Sequence, residues 1–153
     1  MISQTVEYAL RAVLTIAQHQ GKPCTSKRIA EITKVPAAYL SKLMQGLVRG
    51  GVVRSQRGLH GGFLLNQPAS ELSILDIVDK VEPMKRIHEC PLGIQSHGNR
   101  LCPLHRKLDR AMESIESMFR ETTVADLLSE PDSVTPLCDE AMPVVTLKAP
   151  GQR

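Results

Sequence analysis

Between Pro36 and Leu65 a helical stripe gives way to two short strand-like runs, and a pair of glycines marks the change. Leu40, Leu43, Met44, Leu47 and Val48 fall at i, i+3, i+4, i+7 and i+8, which is one face of a helix. Ala37, Ala38, Tyr39, Ser41, Lys42 and Gln45 fall off that stripe. Pro36 suits the first helical turn, where a missing N–H costs nothing. Gly50-Gly51 then ends the helix, as a left-handed C-terminus does. Val52–Ser55 and Gly62–Leu65 read as strands around the glycine-rich connection Gln56-Arg57-Gly58-Leu59-His60-Gly61.

Upstream, Ser3 to Gln20 predicts a helix with Val6, Ala9, Leu10, Val13, Leu14 and Ala17 on its buried face. Ser3 is its N-cap, and Gly21 and Pro23 stop it. A second helix starts near Thr25 or Ser26, carries Ile29, Ala30 and Ile32, and breaks at Val35-Pro36. Helix, short turn, helix, β-hairpin is the order of a winged helix-turn-helix. Trp is absent and aromatic residues make up 3% of the chain, so the core is aliphatic, which favours helices.

Beyond the hairpin, Leu72 or Ser73 begins a short helix with Ile74, Ile77, Val78 and Val81, ended before Pro83. From Pro103 to Glu121 one long helix carries the stripe Leu104, Leu108, Ala111, Met112, Ile115, Met118 and Phe119. Arg106, Lys107, Arg110, Glu113 and Glu116 are expected outside it. A stripe that long must be buried, most economically on its twin in a homodimer. Thr122-Thr123 caps a last turn through Leu128. Residues 129–153, with four of the ten prolines, read as a mobile or loosely docked tail. The expected class is thus mainly α with a small β-hairpin wing. Residues 1–82 form a winged helix-turn-helix DNA-binding domain with a connector helix. A cysteine-containing loop over 83–103, a dimerisation helix over 104–128 and the tail follow.

Charge is unevenly divided. Residues 1–66 hold nine Lys/Arg against Glu7 and Glu31, whereas residues 67–153 hold ten against fourteen Asp/Glu. A basic amino-terminal half points to a polyanion, here double-stranded DNA. Ala37, Ala38, Tyr39, Ser41 and Lys42 on the first turns of the third helix suit close approach to a major groove. Thr25, Ser26 and Lys27, where the second helix begins, suit a phosphate. Arg57, His60 and Gly61 in the hairpin suit a minor groove. The same fold serving as a protein-interaction module is the alternative. No apolar run reaches the length of a membrane span, and a cytoplasmic protein is expected. No phosphate-cradling glycine loop, nucleophile elbow or carboxylate pair suggests an enzyme.

Two of the four cysteines and two of the five histidines fall within residues 89–105. In a reducing compartment such a pair points to metal or redox chemistry rather than a structural disulfide. Three readings stand: a metal site, a thiol–disulfide switch between Cys90 and Cys102 activated by Arg100 and His105, or thiols packed as small apolar groups. Cys24 and Cys138 read as free thiols, and His19 and His88 as surface or cap residues.

Several stretches resemble the Rrf-type winged-helix regulators, which include IscR-, NsrR- and CymR-like proteins. They are Glu7-Tyr8-Ala9-Leu10-Arg11, Tyr39-Leu40-Ser41-Lys42-Leu43-Met44, Arg57 to Leu65, Cys90-Pro91-Leu92-Gly93, Cys102-Pro103-Leu104-His105 and Thr122 to Leu127, within roughly residues 1–128. The resemblance implies a homodimeric transcription regulator, commonly a repressor, on a near-palindromic operator. It also implies an iron–sulfur cluster in the loop, with Cys90 and Cys102 at the first and third cysteine positions and Ser96 where the middle one stands in cluster-binding relatives. His105 matches a fourth-ligand histidine, and Glu7 an acidic ligand position on the first helix that acts on the partner subunit's cluster; His97 adjoins the missing cysteine. Two thiolates with mixed ligands suit a 2Fe-2S centre better than a four-iron one.

Overall fold

The structure is a computed structural model that describes residues 2–94 and 100–130. Ser96, His97, Cys138 and the tail from 131 onward lie outside the described residues. Among the described residues, eight elements run in the order α1 (Gln4–Gln18), α2 (Ser26–Thr33), α3 (Ala37–Arg49), β1 (Val53–Gln56), β2 (Gly62–Leu65), α4 (Ile74–Val81), α5 (Pro103–Glu121) and α6 (Val124–Ser129). This is the mainly α architecture with a hairpin wing that the sequence predicts.

Local chemistry sets most of the boundaries. The Ser3 hydroxyl accepts from the Val6 N–H and starts α1, while Thr25 accepts from Arg28 N–H and starts α2. Lys34, in the left-handed region at φ 57°, ends α2, so that Val35 turns inward and Pro36 caps α3. Gly51 at φ 75° follows the last turn of α3, a conformation that glycine adopts without strain. The Val52 N–H then donates back to Leu47 O, so β1 begins one residue later than the sequence suggests.

α1 lies at the centre, packed against α2, α3, α4, β2 and α6. Its buried face is rotated from the predicted one. Val6, Ala9 and Val13 are buried as expected and Ala12 and Ile16 join them, while Leu10, Leu14 and Ala17 are buried only partly. Thr15 is fully buried because its hydroxyl donates to the Arg11 carbonyl within the helix. Thr33 replaces Ile32 on the inner face of α2 by the same device, donating to Ile29 O at 2.7 Å. Ile29, Val35, Leu40, Leu43, Met44, Leu47 and Val53 complete this core.

The hairpin pairs Val53 with Leu65, Arg54 with Leu64, Ser55 with Phe63 and Gln56 with Gly62. On the other edge of β2, Cys24 adds an isolated antiparallel bridge through reciprocal backbone bonds with Phe63 of 2.9 and 2.8 Å. It is therefore a buried, strand-paired residue rather than part of an open turn. Burial pushes its thiol pKa up, opposed by the charge of Arg28.

Two capping boxes join the far side. Ser73 and Asp76 close the start of α4, and Thr123 and Asp126 close the start of α6. The two starts pair with each other through Ile74 N–H to Thr122 O and Val124 N–H to Leu72 O, both 2.9 Å. A second apolar cluster of Val6, Ile74, Leu75, Val78 and Phe119 anchors the C-terminal end of α5 against α4 and α1.

Candidate nucleic-acid interface and cysteine loop

Burial of Leu40, Leu43, Met44 and Leu47 turns the opposite side of α3 outward. Ala37, Ala38, Tyr39, Ser41 and Lys42 are all exposed there. Next to it, Thr25 and Ser26 at the start of α2 form one wall of an open cleft of about 390 Å³, and Arg57, Gly58 and Gly61 of the wing form the other. Lys27, Arg57 and His60 are exposed on the same elements. The first turn of α2 thus offers its N–H groups beside a cationic hairpin, an arrangement suited to a phosphate.

The wing depends on close backbone approach at two glycines. A Cβ at Gly61 would meet Gln56 O at 2.5 Å, and one at Gly62 would meet Cys24 O at 2.7 Å. Gly61 N–H donates to Gly58 O at 2.9 Å, which folds Leu59 and His60 into the corners of a turn at the tip.

Tyr39 does more than face outward. Its hydroxyl lies 2.5 Å from Thr5 Oγ1, and its ring meets Tyr8 edge-on at 5.6 Å between centroids. Gln4 Nε2 donates to the Tyr8 hydroxyl, and the Arg11 guanidinium lies 5.7 Å from the Tyr8 ring centre. Arg11 also pairs with Glu7 and reaches the Thr33 carbonyl at 3.4 Å. A continuous chain of contacts therefore links Glu7 on α1 to the first turn of α3. Tyr39 and Glu7 are far apart in the sequence; their connection runs through Tyr8 and Arg11, which local periodicity does not join to α3.

In the cysteine loop, Cys90 is 9% exposed and half-buried Cys102 occupies the N-cap of α5. His105, one turn into the helix, brings its Nδ1 to 3.4 Å from the Cys102 Sγ. This pair puts a thiol and an imidazole on one side of a helix end, the donor chemistry that suits iron or zinc. Glu7 is not part of the pair, being engaged by Arg11. Among the described residues no group of three or more His, Cys, Asp or Glu is close enough to hold a metal ion. Cys24, Cys90 and Cys102 are free thiols. His19 is the C-cap of α1, with Nδ1 2.8 Å from Thr15 O and Nε2 3.5 Å from the Cys24 Sγ.

The long helix divides its apolar residues between two faces. Phe119 is buried and Met112 half-buried, whereas Leu104, Leu108, Ala111, Ile115 and Met118 are exposed. The exposed set is spaced four, three, four and three residues apart, the period of a coiled-coil seam. Glu116, expected on the solvent side, is instead turned inward. It lies 3.7 Å from Arg86 and also pairs with Arg120. Arg86 grips Asp109 through two bonds of 2.7 Å, and the Ile87 N–H donates to the same carboxylate at 3.0 Å. The Arg86 hydrogen bonds hold the Asp109 carboxyl at about 2, below its ordinary 3.8. Nothing in the local sequence signals this pair, because its members are 23 residues apart.

The comparisons agree with the architecture. The family model "Rrf2: Iron-dependent Transcriptional regulator" matches residues 2–130. The chain is 30% identical over 132 residues to an Aquifex aeolicus (strain VF5) protein named as an HTH-type transcriptional regulator, spanning 84% of this chain and 92% of that one. It is similar in structure to CymR, the global cysteine regulator of B. subtilis, with a TM-score of 0.69 and 26% identity over 83% of this chain and 95% of that one. T. potens IscR matches with a TM-score of 0.69 and 27% identity, over 84% of this chain and 85% of its own. No helix among the described residues is long and apolar enough to cross a membrane.

Proposed function

The chain belongs to the Rrf2 family of transcriptional regulators, and from that premise we propose that it is a homodimeric operator-binding protein whose affinity is set by its cysteine loop. The observation that carries the proposal is the exposed first turn of α3 beside the cleft between α2 and the wing. Ala37, Ala38, Ser41 and Lys42 read base edges in the major groove, with Lys42 also within reach of phosphate. Tyr39 sets the angle of α3 through Thr5 and Tyr8. Thr25, Ser26 and Lys27 hold a phosphate, and Arg57, His60 and Gly61 carry the wing into the adjacent minor groove. The coiled-coil spacing of the exposed α5 seam favours a second copy of this chain as its cover, which places two reading heads on a near-palindromic site.

The loop is the sensor. Cys102 and His105 stand together, and with Cys90 and the partner subunit's Glu7 they would supply two thiolates, an imidazole and a carboxylate to hold a 2Fe-2S centre. When bound, such a centre supplies sensitivity to oxidation or nitrosation. Glu7 pairs with Arg11, which lies over Tyr8 and so reaches Tyr39, so use of Glu7 as a ligand would compete with Arg11 and would be felt at the first turn of α3.

Mobility shifts on the protein's own promoter DNA test the reader. Affinity must fall steeply with salt, because phosphate contacts release counterions. A shift that ignores salt, or none at all, turns the reading towards a protein-interaction module. Iron and sulfide analysis of anaerobically isolated protein tests the sensor, and iron-free protein that still responds to oxidation would favour a Cys90–Cys102 thiol switch.

A further inference from the structure

The polar cluster around Arg86 ties the stem of the cysteine loop to α5. Residues 83–88 leave α4 without helical or strand bonding of their own and lead into Cys90. They are tied instead to α5. Both the Arg86 guanidinium and the Ile87 N–H converge on the Asp109 carboxylate. Glu113 at 3.5 Å and Glu116 at 3.7 Å extend the acidic face by i+4 and i+7. Asp109 is one helical turn, roughly 6 Å of rise, beyond His105. Cys90 is three residues beyond Ile87, so its Cα lies within about 10 Å of that anchor. One face of α5 therefore carries both the Cys102–His105 pair and the anchor for the Cys90 stem.

We propose that Asp109 and Arg86 are positioning residues of the sensor: their clamp holds the Cys90 stem against α5, the helix that carries Cys102 and His105, and keeps Cys90 shielded. The inference rests on the sensor reading of the loop but not on the identity of what the loop binds. A bidentate guanidinium–carboxylate fork fixes orientation as well as distance, which a lysine ammonium cannot reproduce. Cys90 stays 9% exposed between Glu89 and Pro91, both exposed, as a held residue would.

The test compares wild type, Asp109→Ala and Arg86→Lys as full-length, metal-free protein, with alkylation by iodoacetamide followed site by site by mass spectrometry. Cys24, 1% exposed in the main core, is the internal control. The clamp predicts Cys90 alkylation faster by roughly tenfold in Asp109→Ala, as local opening becomes easier, with Arg86→Lys intermediate and Cys24 unchanged. An unchanged Cys90 rate overturns the proposal, and so does a Cys24 rate that rises in step, which marks general loosening. Iron retention by the same variants, prepared anaerobically, separates the two readings. A wild type with no iron but a Cys90 rate that follows the clamp keeps the clamp and removes the cluster. A wild type with iron, and variants matching it in both iron and Cys90 rate, removes the clamp and keeps the cluster.

Discussion

Phe119 is where the long helix is bolted to the reading head, so its removal measures how firmly the two are joined. It is 8% exposed and packs with Val6 of α1 and Ile74, Leu75 and Val78 of α4. Phe119→Ala removes a ring from a packed site, a change that costs about 3–5 kcal/mol in well-enclosed cores. This cluster is small and every member keeps some exposure, so neighbours can partly collapse into the gap; about 3 kcal/mol is expected. For an ordered region of this size that corresponds to roughly 10 °C in Tm. Urea denaturation followed by far-UV circular dichroism, at one fixed protein concentration, reads the loss as a lower midpoint with an unchanged slope. Leu92→Ala, at a side chain 76% exposed, is the control and should move stability by less than about 0.5 kcal/mol. A loss below about 1 kcal/mol for Phe119→Ala would refute the packing argument, since no collapse of so few side chains recovers that much.

Other outcomes follow from the same geometry. Ser73→Ala and Thr123→Ala each remove a capping box and should cost about 1 kcal/mol, with the double variant departing from the sum because the two caps are bridged; urea midpoints check both claims. Asp109 has its carboxyl lowered from 3.8 to about 2, so its contribution is complete above the unfolded value and is lost as pH falls through the folded one. Stability should therefore decline over that acidic window in wild type and be flatter in Asp109→Asn, as urea titrations at stepped pH would record. Gly61→Ala places a methyl 2.5 Å from Gln56 O; it should leave the helical circular dichroism intact and weaken operator binding by roughly tenfold or more in mobility shifts.

Much of this architecture is legible in the chain because its signals are local. Ser3, Thr25, Ser73 and Thr123 each cap the helix they introduce, and α5 runs from Pro103 to Glu121 as its stripe predicts. Gly50-Gly51 and the wing glycines mark the helix end and the hairpin. What is not legible depends on distant partners. Thr15 and Thr33 are buried because each satisfies its hydroxyl within its own helix, which hydropathy does not anticipate. Glu116 faces inward because Arg86 arrives from another segment, and Cys24 is enclosed because Phe63 pairs with it. The candidate site follows the same rule. The outward residues of α3 follow from its apolar stripe and the Cys102–His105 pair from one helical turn, but the path from Glu7 to Tyr39 and the Arg86–Asp109 clamp exist only once the chain has folded.

Control of operator affinity by the cysteine loop is the proposal on which the rest depends. It is tested most directly by the visible absorption spectrum of anaerobically isolated protein, recorded with its iron and sulfide content and its operator affinity before and after exposure to air. The expected result is coloured protein with iron and sulfide in equal amounts, whose operator affinity changes as the colour is lost, and no such change in Cys102→Ala. Operator affinity that stays the same through oxidation, and the same in Cys102→Ala, would contradict it.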